Sequence, residues 1–285
     1  MIGVSLPLDI LKDVPKTEAQ VILLEQYGRR DCLLKGLKKQ GVGSIELRAI
    51  NAGFSAQEVL ACTQAVFDNG LTCTIHGHLE AVDNDVFFNN INSVVERFPN
   101  GLEQLMLTVH SPKDSEDNEE NRKKSVKLLT RFAKFALQKQ MPVHFALENN
   151  RIHSNVPSIV NCEGVLSIVN EVNLPNVGIC WDFGHVYSNL INFANVPELN
   201  SPEAFMKKVV HTHIHAYKGK THFPFMGDTA LPLVQYCNSL KQGGYTGIYN
   251  LELDIERFYL QYSPREALET SISELKQCLN MLNID

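Results

Sequence analysis

Six side chains able to bind a metal ion recur along this sequence at nearly regular intervals of 34, 38, 34, 31 and 39 residues. In chain order they are His76, His110, Glu148, Asp182, His213 and Glu252. Imidazoles and carboxylates together suit divalent ions such as Mn²⁺, Zn²⁺, Fe²⁺, Co²⁺ or Mg²⁺. The last four, Glu148 to Glu252, predict a site of three carboxylates and one imidazole that leaves positions for substrate oxygens.

Each of these six residues ends a short apolar, β-rich run, and such runs alternate with stretches of helical periodicity along the whole chain. The predicted strands are 2–6, 44–48, 72–76, 104–110, 143–148, 177–182, 209–213 and 248–252. The predicted helices are 18–39, 56–67, 85–98, 119–138, 156–172, 203–208, 231–240 and 264–282.

This alternation predicts parallel strands joined by crossover helices, in the α/β class. Eight units of about 36 residues suit one (β/α)8 TIM barrel domain spanning 1–285, with the active site at the carboxyl ends of its strands. A doubly wound open sheet is the alternative. It is disfavoured because no glycine-rich phosphate turn follows the first strand, and a polar loop is expected there instead.

In a closed barrel the carboxyl ends of all strands converge on one rim, so residues far apart in sequence can surround a single pocket. Alternate residues of a strand share a face. The residues two before the predicted ligands are small or polar, such as Ala146 and Cys180, whereas the intervening Leu147 and Trp181 are bulky. We therefore expect the first set to face the barrel interior and the second to face the helices.

Composition excludes several other classes of protein. The chain is 44% hydrophobic and 20% charged, with a net charge of −6, and has no apolar run of about 18 residues that could span a membrane. The start of the sequence lacks the pattern of a signal peptide, and the seven cysteines are scattered, so we expect reduced thiols and a cytoplasmic location. The acidic balance disfavours nucleic acid as a partner.

Several segments resemble the xylose-isomerase-like barrel superfamily, which contains sugar isomerases and epimerases as well as endonucleases of the endonuclease IV type. The most specific are the D-x-x-H step from Asp182 to His185 and the H-x-H-x-H strand from His211 to His215. The epimerase pattern implies one divalent metal held by Glu148, Asp182, His213 and Glu252. It also implies that Glu148 and Glu252 act as acid and base, and that His185 contacts a substrate oxygen.

The endonuclease pattern is the alternative and implies three zinc ions. Eight of its nine ligands are matched, including His76, His110 and His222, but the ninth, an aspartate, falls on Lys220. A second ion on His76, His110 and Glu148 therefore stays open. Against DNA as the substrate, the predicted rim loop at 113–124 is rich in acidic residues, among them Asp114.

Other residues at the predicted rim are candidates for substrate contact, namely Glu46, Arg48 and Lys218. Lys218 could also hold a phosphate or carboxylate, together with Arg151. The roles of His211 and His222 are left open. The sequence thus favours a metal-dependent isomerase or epimerase acting on a small carbohydrate, with a metal-dependent phosphodiesterase or abasic-site endonuclease as the alternative. The oligomeric state stays open.

Overall fold

Parallel strands close into a barrel in the order in which they occur along the chain. The computed structural model describes residues 1–50, 53–77, 84–97, 104–113, 115–153, 159–193, 198 and 202–284. Its strands are Ile2–Pro7 (β1), Val42–Ile50 (β2), Thr72–Gly77 (β3), Leu105–Val109 (β4), Val143–Glu148 (β5), Val177–Asp182 (β6), Val209–Ile214 (β7) and Tyr249–Leu251 (β8). β8 pairs with β1 at Tyr249 and Ile2 and so closes the cylinder, which confirms the predicted fold class.

Helices follow the strands and form the outer layer. Within the described residues they are Leu8–Leu11 (α1), Glu18–Tyr27 (α2), Arg30–Lys39 (α3), Ala56–Asp68 (α4), Asn84–Arg97 (α5), Asn118–Gln138 (α6), Cys162–Val172 (α7), Phe183–Asn192 (α8), Pro202–Met206 (α9), Leu233–Gln242 (α10) and Pro264–Met281 (α11). In that part of the chain, no helix combines the length and the apolar character needed to cross a bilayer.

The single helix predicted over 18–39 is wrong, because α2 and α3 are separate helices that meet at a glycine. Gly28 follows α2 with φ of +100°, a backbone conformation that L side chains rarely adopt. The chain turns there before α3 begins. The polar loop expected after β1 is also wrong, since α1 starts directly after Pro7.

The connection from β6 to β7 contains a helix that the sequence pattern did not predict. Only a helix at 203–208 was expected there, but α8 begins directly after Asp182, with no intervening polar loop. The helix predicted over 156–172 begins only at Cys162, because residues 159–161 form a turn and the Asn161 side chain caps the helix by accepting a hydrogen bond from the backbone N–H of Gly164. The predicted boundaries at Phe98 and Val156, and Asp114, lie outside the described residues.

The two faces of the strands receive different side chains. Leu147 and Trp181 are fully buried in the main hydrophobic core, and the Trp181 ring packs on Phe183 at a centroid distance of 4.6 Å. Ala146 and Cys180 belong to a separate small cluster. The alternation predicted from side-chain size is therefore confirmed: bulky residues face the helices, and small residues face the barrel interior.

Candidate metal centre

The four predicted metal ligands meet at the carboxyl end of the strands. Glu148 and Asp182 are the last residues of β5 and β6, His213 lies near the end of β7, and Glu252 directly follows β8. Their ligand atoms all lie within 4.8 Å of one another, and all four residues are buried. Nδ1 of His213 is 3.3 Å from Oε2 of Glu148 and 3.4 Å from Oε2 of Glu252. The barrel therefore brings the predicted set together.

Three buried polar atoms of this group make no hydrogen bond: Oε1 of Glu148, Nδ1 of His213 and Oε2 of Glu252. Buried polar atoms in folded proteins almost always have a partner, because leaving them unpaired costs free energy. Carboxylate oxygens and an imidazole nitrogen are the ligands that borderline divalent cations prefer. The chemistry of these atoms and their unmet bonding capacity thus fit a bound divalent cation.

The charges in the group stabilise one another. Burial by itself would raise the pKa of Glu148 and of Glu252, but positive neighbours, above all His213, hold both pKa values well below their usual range. Burial likewise disfavours a protonated His213, yet Cys180 and the surrounding carboxylates together raise the pKa of His213 well above its usual value. Without a cation the carboxylates thus stabilise a protonated His213, and a cation bound at Nδ1 would displace the proton from that nitrogen.

The two histidines predicted for a second ion lie beside Glu148. Nε2 of His110 is 2.9 Å from Oε2 of Glu148, and Nε2 of His76 is 3.3 Å from the same oxygen. The two Nε2 atoms are 3.2 Å apart. One carboxylate oxygen is thus shared by three imidazoles, because Nδ1 of His213 lies 3.3 Å from it. These are the residues that would hold a second cation.

Asp182 is held in place from several directions. Its carboxylate accepts a hydrogen bond of 2.6 Å from the backbone N–H of His185 at the start of α8. Its own backbone N–H donates to the side-chain oxygen of Asn149 at 2.7 Å. On the other side, Nδ1 of His215 accepts the backbone N–H of His222 at 2.8 Å, so Nε2 of His215 carries the proton and donates to Asp182 at 3.1 Å.

His215 belongs to the H-x-H-x-H motif, but the sequence assigned it no role. The signal was available, because in the pattern H-x-H-x-H every second residue of a strand points the same way, which places His215 on the face of His213. Its ring is fully buried. We therefore assign it to orienting Asp182.

Gly184 provides the space that the His215 ring occupies. A Cβ added at position 184 would lie 1.9 Å from Cε1 of His215, so Gly184→Ala must push the ring away from Asp182. We expect this variant to lose about 1–3 kcal/mol of unfolding free energy and to bind Zn²⁺ more weakly. Urea unfolding and a zinc titration would measure the two effects.

Gly227→Ala is the matched control for this prediction. A Cβ at position 227 meets no atom within 4 Å. Its stability should stay within about 0.5 kcal/mol of the unmodified protein, and its zinc affinity should not change. Equal stability and equal zinc affinity in the Gly184→Ala and Gly227→Ala variants would contradict the proposal that Gly184 provides space for the His215 ring.

His185 and His222 form the edge of the site. Nδ1 of His185 is 3.4 Å from both Oε1 of Glu148 and Oδ2 of Asp182, and its Nε2 is 3.4 Å from Nε2 of His222. Burial lowers the pKa of His185, but Asp182 and Glu148 outweigh it and raise that pKa. The loop after β7 returns His222 to the rim, with φ of +63° and its Nδ1 3.4 Å from Oε2 of Glu252. His185 is thus buried against Glu148 and Asp182, two of the four predicted ligands.

The predicted rim position of Glu46 is wrong. Glu46 pairs in register with Thr74 of β3, two residues before His76, so it lies one layer deeper in the barrel. Its side chain is fully buried and bonds to other protein groups, among them His211 at 3.0 Å. β2 continues to Ile50, two residues beyond the predicted strand end, which places Glu46 below the rim. A direct contact with substrate does not fit this position.

Two further candidates for substrate contact have protein partners. Arg48 lies at the rim, where its Nε is 3.3 Å from Oε1 of Glu252 and its Nη1 donates to the carbonyl of Leu253. Lys218 donates to Asp228 at 2.6 Å and to Tyr262 at 2.7 Å, as well as to Gln261. Arg48 therefore helps to hold Glu252, whereas the ammonium of Lys218 is already neutralised within the protein.

The fold and the buried ring of imidazoles and carboxylates together define a class of (β/α)8 barrels whose chemistry is built at the carboxyl rim. The chain belongs to the xylose isomerase-like TIM barrel family, whose model matches residues 34–278. The resemblance inferred from the sequence motifs is thereby confirmed.

Solved structures with the same fold include an L-ribulose 3-epimerase, with 14% identity, a TM-score of 0.65, and coverage of 98% of this chain and 94% of that chain. A D-psicose 3-epimerase from Clostridium cellulolyticum H10, solved with D-tagatose, has 13% identity and a TM-score of 0.62 over 98% of this chain and 97% of that chain. The IOLI protein, solved with a zinc atom, has 18% identity and a TM-score of 0.53 over 96% of this chain and 95% of that chain. No curated protein matches the sequence.

Proposed function

We propose that this protein is a divalent-metal-dependent sugar isomerase or epimerase. The observation that carries the proposal is the group of four buried ligand residues, which includes two glutamates and lies at the carboxyl rim of the barrel. Three of its atoms make no hydrogen bond, which supports a cation among them. Glu148, Asp182, His213 and Glu252 would hold that cation.

The two glutamates are the groups that we assign to proton transfer. When bound, the cation supplies polarisation of the substrate carbonyl, which acidifies the neighbouring C–H bond. One carboxylate then accepts the proton, so that the C–H bond breaks as an O–H bond forms on the glutamate. The other glutamate enters the step protonated, donates its proton to carbon and is left ionised, so the two carboxylates exchange protonation states in one turnover. Return from the opposite face inverts the centre and gives an epimer, whereas return to the neighbouring carbon gives an isomer.

The structural neighbours support a ketose as the substrate. Two of them are named as 3-epimerases, of L-ribulose and D-psicose, and one of these was solved with D-tagatose. We therefore infer a small carbohydrate ligand, with His185 at the edge of the site contacting one of its oxygens.

Incubation with ketoses in deuterated water tests the proposal directly. Proton abstraction next to the carbonyl should place deuterium on carbon in both the substrate and its epimer, because the abstracted proton can exchange with solvent before it returns. Mass spectrometry and proton NMR of the recovered sugars, with Mn²⁺, Co²⁺ or Zn²⁺ added in turn, would measure this exchange. Protein treated with a chelator is the control and should leave the sugars unlabelled.

Two results would count against this function. One is the absence of deuterium in a broad panel of free and phosphorylated ketoses with every metal tested. The other is incision of a duplex oligonucleotide containing an abasic site, with two ions bound per chain and the second on His76 and His110. That combination would move the assignment to a hydrolase.

A further inference from the structure

A buried carboxylate lies directly beneath the candidate metal centre. Glu46 is fully buried, and its Oε1 accepts hydrogen bonds from the Ser5 hydroxyl at 2.6 Å and from the Asn250 amide at 3.1 Å. Two imidazoles also reach it, with Nε2 of His211 at 3.0 Å and Nε2 of His213 at 3.0 Å from its nearer oxygen. Four donors therefore converge on one carboxylate, which has about four lone-pair positions to offer.

These contacts determine which nitrogen of His213 carries a proton. The Ser5 hydroxyl and the Asn250 amide both donate to Glu46, so its carboxylate acts as the acceptor in this network. Nε2 of His213 therefore carries a proton, which it donates to Glu46. Its other nitrogen, Nδ1, points at Glu148 and Glu252 and makes no hydrogen bond.

We propose that Glu46 is a positioning residue, which holds His213 in the tautomer and ring orientation that present the Nδ1 lone pair to a divalent cation. The inference rests on the proposed metal site and adds a residue that does not touch the metal. Carboxylates that accept the second N–H of a metal-binding histidine fix its tautomer and increase its basicity. Removing such a partner typically lowers metal affinity by about 10- to 100-fold.

The contacts of Glu46 distinguish a role in positioning His213 from a general role in packing. His211 donates to the same carboxylate from the side, but its ring is not part of the group of four ligands around Glu148. Ser5 supports Glu46 without contacting His213. Among the hydrogen bonds to Glu46, the one from His213 involves a predicted metal ligand.

Glu46→Gln tests the proposal with little change in shape. A glutamine has one accepting oxygen and one NH₂ group. At least one of the four donors around position 46 would then face that NH₂ group and would have to reorient or lose its hydrogen bond. If the NH₂ group faces His213, Nε2 becomes the acceptor and the proton moves to Nδ1, where it blocks the cation. We expect zinc affinity, measured by competition with a chromophoric chelator, to fall by about 10- to 100-fold.

Ser5→Ala is the matched control, because it removes one hydrogen bond to Glu46 and leaves the bond to His213. Its zinc affinity should stay within about threefold of that of the unmodified protein. Unchanged affinity in Glu46→Gln would overturn the proposal, as would equal losses in both variants, which would point to packing alone. If the unmodified protein itself binds no zinc or other divalent ion, the proposed function fails first and the inference falls with it.

A second measurement does not depend on the folding of a variant. In the zinc-loaded, unmodified protein with isotope-labelled histidine, nitrogen NMR distinguishes a metal-bound Nδ1 from a metal-bound Nε2. We expect one imidazole that binds zinc through Nδ1 and keeps a slowly exchanging proton on Nε2. Coordination of zinc only through Nε2 nitrogens would overturn the proposed role of Glu46.

Discussion

Replacing Glu252 by glutamine should lower turnover by about 10²- to 10⁴-fold and abolish the exchange of solvent deuterium into the sugar. The same result is expected for Glu148→Gln. Both carboxylates are buried in the group of four ligand residues, and the proposed mechanism gives each of them one proton transfer to or from carbon. Glutamine keeps the shape but cannot take up the proton.

In these variants, a fall in turnover caused by weaker metal binding must be distinguished from one caused by loss of the proton-transferring carboxylate. Zinc or manganese bound per chain should therefore be measured for each variant alongside turnover, and deuterium exchange should be compared at equal metal occupancy. Glu119→Gln is a suitable control, because this glutamate is exposed on α6 and pairs with Arg122 of the same helix. Full exchange in both the Glu148 and the Glu252 variants would remove their assignment as bases.

Exhaustive removal of divalent metal should stop turnover and lower the melting temperature by roughly 5–10 °C. A ligand that binds only the folded state at a hundred times its Kd stabilises it by about 2.7 kcal/mol. In this protein the effect has a clear source, since the carboxylates of Glu148, Asp182 and Glu252 are gathered in one buried group with unmet hydrogen-bonding capacity. Differential scanning calorimetry before and after chelation would measure the shift.

Re-addition of Mn²⁺, Co²⁺ or Zn²⁺ should restore both the melting temperature and turnover, and the ion that restores most identifies the preferred metal. The Glu148→Gln variant offers a control, because chelation should change its melting temperature much less once a ligand has already been lost. An unchanged melting temperature and full turnover, in protein shown by elemental analysis to be metal-free, would contradict the metal centre.

The local pattern of the sequence was sufficient for most of the architecture. Strand runs, helix runs and their alternation depend on residues close together in the chain, and they predicted the closed barrel now observed. The alternation of bulky and small residues also predicted that Trp181 packs outside the barrel and Cys180 inside. The prediction of helices failed where the sequence held no local signal. Asp182 ends β6 and also caps α8, with no loop between the two elements.

The sequence by itself determined that Glu148, Asp182, His213 and Glu252 meet, because strand-end ligands recur with the period of the βα unit and a closed barrel brings all strand ends together. Only the tertiary structure decided the depth of Glu46, the hydrogen bond from His215 to Asp182, and the return of His222 to the site. Depth depends on the register between neighbouring strands, and the protonated nitrogen of His213 depends on a carboxylate 167 positions away. The spacing of residues along the sequence therefore predicts neither the strand register nor this hydrogen bond.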